Sequence, residues 1–301
     1  MTIYGFINLN KPLGWTSHDC VGKTRKLLGI KKVGHGGTLD PLATGVLPIA
    51  VGKVTRLLQF LSEKKAYLAK IRFGVSTNTD DLEGEVLKEN IARNLTIEDI
   101  KFHLPSFIGE IEQIPPAFSA IQKDGKRLYE LARKGKKVDV PKRIVNIENI
   151  EILNWFPSDF PELELKITCG SGTYIRAIAR DLGEKVKFGA TLASLDRILS
   201  CGMEIEESIT FEDIEKALKE NNLSLITPEK LLTHLPFISL PEDTAQKWCY
   251  GQKIIIDDTK NLPFDVPIRV KNQDNLLLGV AQLIIVENKP LLKAKVILNS
   301  F

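Results

Sequence analysis

Gly34-His35-Gly36-Gly37-Thr38-Leu39-Asp40-Pro41-Leu42-Ala43-Thr44-Gly45-Val46-Leu47-Pro48 decides the reading of this 301-residue chain. Asp40 is the only ionised side chain of that run, set among four glycines, two prolines and small or aliphatic residues. Pro41 biases Asp40 away from the right-handed helical region and toward an extended backbone. The glycines admit close approach of a ligand or of another backbone. An isolated Leu-Asp-Pro reads as a tight turn with an ordinary aspartate. The length of this run, with His35 five residues upstream, favours a nucleophile or a base.

Outward from the loop, the periodicities alternate between helix and strand. Residues 17–28 predict a helix with Ser17 as its N-cap, Val21, Thr24 and Leu28 on one face, and Gly29 ending it. Val54, Leu57, Leu58 and Leu61 predict an amphipathic helix after the loop. Tyr67, Ala69, Ile71 and Phe73 alternate with Leu68, Lys70 and Arg72 as in a half-buried strand. Leu163, Leu165, Ile167 and Cys169 repeat the pattern, and Ile175, Ile178, Ala179, Leu182 and Val186 mark a further helix. Without regular βαβ alternation, these elements predict a mixed sheet with helices packed on it. Residues 234–241, His-Leu-Pro-Phe-Ile-Ser-Leu-Pro, read as a linker to short strands at 253–256, 268–270, 276–285 and 291–298.

Several further blocks stand in a fixed order along the chain. They are Asn10-Lys11-Pro12-Leu13-Gly14-Trp15-Thr16-Ser17, Lys65-Ala66-Tyr67 with Gly74, and Thr79-Asp80-Asp81-Leu82-Glu83-Gly84. Gln113-Ile114-Pro115-Pro116-Ala117-Phe118-Ser119-Ala120 leads into Gly125–Arg133, and Gly172-Thr173-Tyr174-Ile175-Arg176 with Asp181-Leu182-Gly183 completes the set. With the Asp40 run, these blocks resemble the bacterial TruB family, the tRNA pseudouridine synthases that act on the T-loop uridine (position 55). The resemblance covers residues 5 to about 200. Gly36 stands where a Thr is common, and Asp196 where a basic residue is frequent.

The resemblance implies an α+β fold: a mixed, largely antiparallel sheet flanked by helices, with a small β-rich PUA-like C-terminal domain. Residues 1–235 are then the catalytic domain, residues 113–140 an RNA-clamping insertion with a short basic helix at Leu128–Lys134, and residues 236–301 the PUA-like RNA-binding domain. Asp40 is the catalytic carboxylate, and Arg176 its counter-charge. Tyr67 stacks on the flipped uracil, Tyr174 is a second wall and Leu195 an apolar contact. His35 fills space vacated by extruded nucleotides, and Lys11 and Pro12 support the loop. By pattern alone Tyr67 and Leu195 are core residues, and His35 a loop histidine.

Converting uridine to pseudouridine transfers no net electron or group, so no cofactor and no metal are expected. Net charge is only +3, but residues 123–143 hold nine Lys or Arg against three acids, and Lys23, Arg25, Lys26, Lys31 and Lys32 form a second cluster. Both flank motif blocks and together favour a polyanion footprint, the tRNA T-stem-loop. Cys20, Cys169, Cys201 and Cys249 lack a Cys-x-x-Cys spacing and are expected as reduced, buried thiols. No run of about 18 apolar residues and no secretory leader is evident, so a cytoplasmic protein away from membranes is expected, a monomer with no obligate protein partner.

Three competing readings arise from the same residues. Val21-Gly22-Lys23-Thr24 mimics the end of a phosphate-binding loop, but Ser17 stands where its first glycine is required. A nucleoside N-glycosidase needs paired carboxylates, which Asp80, Asp81, Glu83 and Glu85 offer. A tRNA-elbow-binding RNA chaperone needs binding without turnover.

Overall fold

The computed structural model describes residues 4–118, 122–123, 126–127, 140–256 and 262–298. The basic helix expected at Leu128–Lys134, and most of the insertion around it, lie outside the described residues.

A nine-stranded sheet forms the body, in the order Gly5–Lys11, Ala43–Val51, Ala190–Ser200, Lys65–Phe73, Glu162–Cys169, Arg143–Phe156, Gly109–Gln113. Val33–His35 adds to Ala43–Val51 and Met203–Glu204 to Ala190–Ser200. Its one parallel pairing joins Leu195–Arg197 to Ala43–Gly45; the rest is antiparallel. The fold is α+β, as the interspersed periodicities predict.

Strand alternation sorts the sheet's two faces. Ile7, Leu9, Leu47 and Ile49 share one core with Tyr67, Ala69, Ile71 and Phe73, and with Cys20 and Val21 of the Ser17–Leu28 helix. Ile178, Ala179 and Leu182 of the Ile175–Lys185 helix and Phe211 and Ile214 of the Phe211–Lys219 helix pack there too. Phe6, Val46 and Ala50, the alternate residues, enter a second core with Val54 and Leu57. Leu277, Val280, Val296 and Leu298 of the C-terminal sheet close that core. The first strands are thus buried on both sides.

Three local expectations are corrected. The first helix is capped by Thr16, not Ser17: Thr16 Oγ1 accepts from Asp19 N at 3.0 Å, and Asp19 Oδ2 accepts from Thr16 N at 3.0 Å. Thr96–Asp99 and Thr210–Asp213 repeat this reciprocal box. The segment expected as a linker contains a strand, Phe237–Ser239, paired in parallel with Pro267–Lys271. The helix expected after the Asp40 loop is a 3-10 helix, Gly52–Phe60, burying Val54 and Leu57.

The C-terminal sheet runs Phe237–Ser239, Pro267–Lys271, Leu277–Val286, Lys289–Ile297, Ile254–Ile255. The helix Glu242–Cys249 covers it, with Trp248 fully buried against Ile268, Leu278 and Leu283. Sequence periodicity located the last four of these strands to within a few residues but missed the first strand and the helix. No described helix is long and apolar enough to cross a membrane.

Candidate active site

Each carbonyl from Gly36 to Pro41 has a partner. Gly36 O accepts from the Cys201 thiol at 3.5 Å. Arg197 donates to Gly37 O at 3.2 Å and Thr38 O at 3.4 Å, while its Nε donates to Val46 O at 2.8 Å. Ser17 Oγ donates to Leu39 O at 3.1 Å and accepts from Leu39 N at 2.8 Å. Asp40 O accepts from Ala43 N at 3.1 Å, and Pro41 O from Gly14 N at 2.9 Å and from Lys11 Nζ at 3.3 Å. Lys11 also donates to Pro12 O and Trp15 O and is fully buried. Burial pulls the Lys11 ammonium below its ordinary value, against the opposing pull of Cys20 and Asp40. The loop is held before and after Asp40, so little of its geometry is left to be set when a ligand arrives.

Asp40 Oδ2 lies 2.9 Å from Arg176 Nη2. Arg176 follows Tyr174, which begins the Ile175–Lys185 helix with no side-chain cap of its own. Gln113, buried at the end of its strand, replaces that cap: its Oε1 accepts from Tyr174 N at 2.8 Å and its Nε2 donates to Tyr174 O at 3.0 Å. Arg176 Nη1 also pairs with Asp81 Oδ2 at 3.2 Å and donates to Thr79 O at 2.9 Å; Nη2 donates to Phe118 O at 3.0 Å.

The carboxylate opens onto a cavity of about 340 Å³. Tyr67, Tyr174 and Leu195 line it with Asp40 and Arg176, as do Lys65 and the Ser171–Thr173 turn. Tyr67 is almost wholly buried, and its cross-strand neighbour is Arg197. Burial pushes the Tyr67 phenol above its ordinary value, opposed by Arg197, so the ring is neutral at neutral pH. Leu195 reaches the cavity from the single parallel pairing, opposite Ala43. His35 is not among the lining residues: it ends a short strand beside Ile49, with its Nδ1 buried and unpaired among the described residues. Asp80, Asp81, Glu83 and Glu85 do not line the cavity, so among the described residues no second carboxylate faces Asp40 across it. Among the described residues no cluster of His, Cys, Asp or Glu is placed to hold a metal ion.

Residues 25–175 match the N-terminal domain model of the TruB family pseudouridylate synthases. The tRNA pseudouridine synthase B of Gloeothece citriformis is 59% identical over 283 residues, spanning 94% of this chain and 92% of that protein. The chain belongs to the TruB family. The synthase of the same name from Microcystis aeruginosa is 50% identical over 297 residues, spanning 99% of this chain and all of the relative. A crystal structure of a Cbf5-Nop10-Gar1 complex contains a chain with the same fold, at 25% identity and a TM-score of 0.72, over 97% of this chain and 83% of that one. A pseudouridylate synthase is an isomerase, and among the described lining residues of this TruB-family site Asp40 is the one carboxylate, set against flat and apolar walls.

Of the residues singled out in the sequence, the structure brings Asp40, Tyr67, Tyr174, Arg176 and Leu195 to one cavity and leaves His35 off its lining. Sequence reasoning missed Arg197, Gln113 and the partnership of Asp81 with Arg176, and it took Ser17 for a cap. Arg197 carries a signal: it is a charged residue on a strand whose other buried members are apolar or small. Asp81 lies in the Thr79–Gly84 block, but that turn has the composition of a solvated loop, so nothing in it pointed to a partnership with Arg176.

Proposed function

We propose that this TruB-family chain isomerises the T-loop uridine of tRNA, at position 55, to pseudouridine, with Asp40 as the catalytic carboxylate. The observation that carries this reading is the Asp40–Arg176 pair at the edge of a cavity walled by Tyr67, Tyr174 and Leu195. The names of the relatives support tRNA as the substrate.

The reaction breaks the bond from N1 of uracil to C1′, turns the base, and joins C5 to C1′. C5 loses its proton to water and N1 gains one, so atoms and electrons balance without a cofactor. Asp40 acts as nucleophile at the sugar or base, or as the base that takes a sugar proton. Arg176 pairs with that carboxylate and aims it. A target held in a folded T-loop must leave its stack to reach Asp40, and flipping costs a few kcal/mol. Tyr67 then stacks on the extruded base and gives affinity without locking its rotation. Tyr174 and Leu195 bound the ring, and His35 occupies space left in the T-loop.

The sheet of residues 237–297 is PUA-like and adds RNA contact, and the basic insertion clamps the stem-loop. The chain acts as a cytoplasmic monomer with no obligate protein partner; four buried free thiols accord with a reducing compartment.

The test is tritium release from C5-tritiated uridine in a tRNA T-stem-loop, beside Asp40→Asn, with an assay for free uracil. Release by the native protein alone, without free uracil, is the expected result. Free uracil would identify a glycosidase. Tight binding without release would identify an RNA chaperone.

A further inference from the structure

Most basic residues on and beside the strands and helix that carry Tyr67, Gln113 and Arg176 have an acidic partner. Lys64 pairs with Glu148, Lys70 with Glu162 and Glu164, and Arg72 with Glu162. Lys142 pairs with Glu112, and Arg180 with Asp80 and Asp181. Lys65 and Arg143, the chain neighbours of Lys64 and Lys142, are exceptions. Both are half-buried, and neither has a carboxylate in ion-pair reach among the described residues.

The two unpaired cations flank one turn. Lys65 Nζ lies 3.4 Å from Ser171 Oγ, and 3.5 Å from where a Cβ on Gly37 would project. Arg143 Nη1 lies 3.7 Å from the corresponding point on Gly172. The Arg143 guanidinium stands 5.8 Å from the centre of the Tyr174 ring, and its Nε is buried with no hydrogen-bond partner among the described residues. Arg143 is the cross-strand partner of Gln113, which clamps Tyr174. Ser171 and Gly172 are exposed at the cavity rim, beyond Asp40.

We infer that Lys65 and Arg143, on the two sides of the Ser171–Gly172 turn, form a subsite for the phosphodiesters that flank the extruded nucleotide. This deepens the tRNA reading and rests on it. A nucleotide seated against Asp40 and Tyr67 leaves its backbone at the rim, where these cations stand. Burial and Arg197 both pull Lys65 below its ordinary value, so the folded protein holds an ammonium at a cost that a nearby anion relieves. Phosphate oxygens at the rim would also find a donor in Arg143 Nη1, which stands beside Gly172. Lys65 shares a strand face with Tyr67, two residues on, which couples base stacking to the backbone grip.

The experiment measures binding of a T-stem-loop RNA by the Asp40→Asn protein, so that no turnover intervenes, across a series of salt concentrations. Lys65→Met and Arg143→Met are added singly, and Lys65→Arg and Arg143→Lys serve as charge-keeping variants. Each Met variant should bind about tenfold more weakly. Each should also lower the slope of log K against log salt by about 0.7 to 0.9. The charge-keeping variants should restore most of the slope. RNA carrying an uncharged methylphosphonate at a phosphate flanking the target uridine should bind the Asp40→Asn protein more weakly. The Met variant that has lost that contact should bind the two RNAs equally.

Unchanged affinity and slope in both Met variants overturn the subsite while leaving the tRNA reading intact. In the Asp40 background, Lys65→Met that lowers isomerisation with binding unchanged also overturns it, assigning Lys65 to the base. Failure of the Asp40→Asn protein to bind the unmodified stem-loop overturns the tRNA reading, and this subsite with it.

Discussion

Arg176 and Asp40 meet at 2.9 Å, yet their side chains differ sharply in exposure: 6% for the guanidinium and 41% for the carboxylate. The pair is therefore a buried cation presenting an accessible anion. Asp81, 7% exposed, holds the other side of the same guanidinium. Arg176 is thus fixed from behind by a carboxylate that does not reach the cavity.

Arg176→Met removes the counter-charge of both acids. It leaves Asp81 buried and unpaired, a change that costs about 3–5 kcal/mol when one partner of a buried pair is deleted. Chemical denaturation should register that loss, and tritium release should fall to background. A fully stable but inactive Arg176→Met would mean that Asp81 needs no partner.

Gly45 has a φ of +94°, and a Cβ there would meet Arg197 O at 2.3 Å and Asp196 Oδ1 at 2.4 Å. It pairs with Lys11 on one side and Arg197 on the other. Gly45→Ala should therefore destabilise by about 1–3 kcal/mol from backbone strain alone. Displacing Arg197 also frees Gly37 and Thr38, so turnover should fall more than unfolding accounts for. Urea titration with rate measurements on the folded fraction checks both.

His35 is held below its ordinary value of 6.5 by burial and then by Arg197, with the backbone at Gly37 opposing. The unfolded state therefore binds the proton at higher pH than the folded state. Stability is lost as pH falls from 6.5 toward the folded value, and regained as pH rises. His35→Gln should flatten the stability curve over about pH 5 to 7, read from urea midpoints. An unaltered slope would show that His35 titrates alike in both states.

Deleting the chain beyond residue 236 removes Leu277, Val280, Val296 and Leu298 from the core they share with Phe6, Val46 and Leu57. The truncated protein should lose RNA affinity, and it should also melt earlier and expose apolar surface. Melting and dye-binding measurements on the truncation test this; an unchanged melting temperature would mean the C-terminal sheet is only appended.

Much of the fold was legible because alternation at Tyr67–Phe73 and Leu163–Cys169, and the helical period at Ile175–Val186, are local patterns imposed by a buried face. The misreadings have local causes too. Thr16 and Ser17 are both competent caps, and the choice fell to Thr16 because Ser17 is used by Leu39, 22 residues away. Phe237–Ser239 looked like a linker because two prolines bracket it, yet its pairing with Pro267–Lys271 is long-range. The candidate site was legible where its residues sit in short motifs, as Asp40, Tyr67 and Arg176 do. Arg197, Gln113 and Asp81 act through contacts that the chain order does not display.

Most of the elements, the Asp40 loop and its resemblance to one family were readable in chain order, because backbone preferences and hydrophobic period are properties of neighbouring residues. What holds that loop and what faces it was settled by long-range packing. Ser17, Lys11 and Arg197 reach it from three separate segments, and Asp81 reaches the far side of Arg176. Those contacts depend on which strands become neighbours. The parallel pairing of Leu195–Arg197 with Ala43–Gly45 joins residues about 150 positions apart, and burying both faces of the sheet is what selects that pairing.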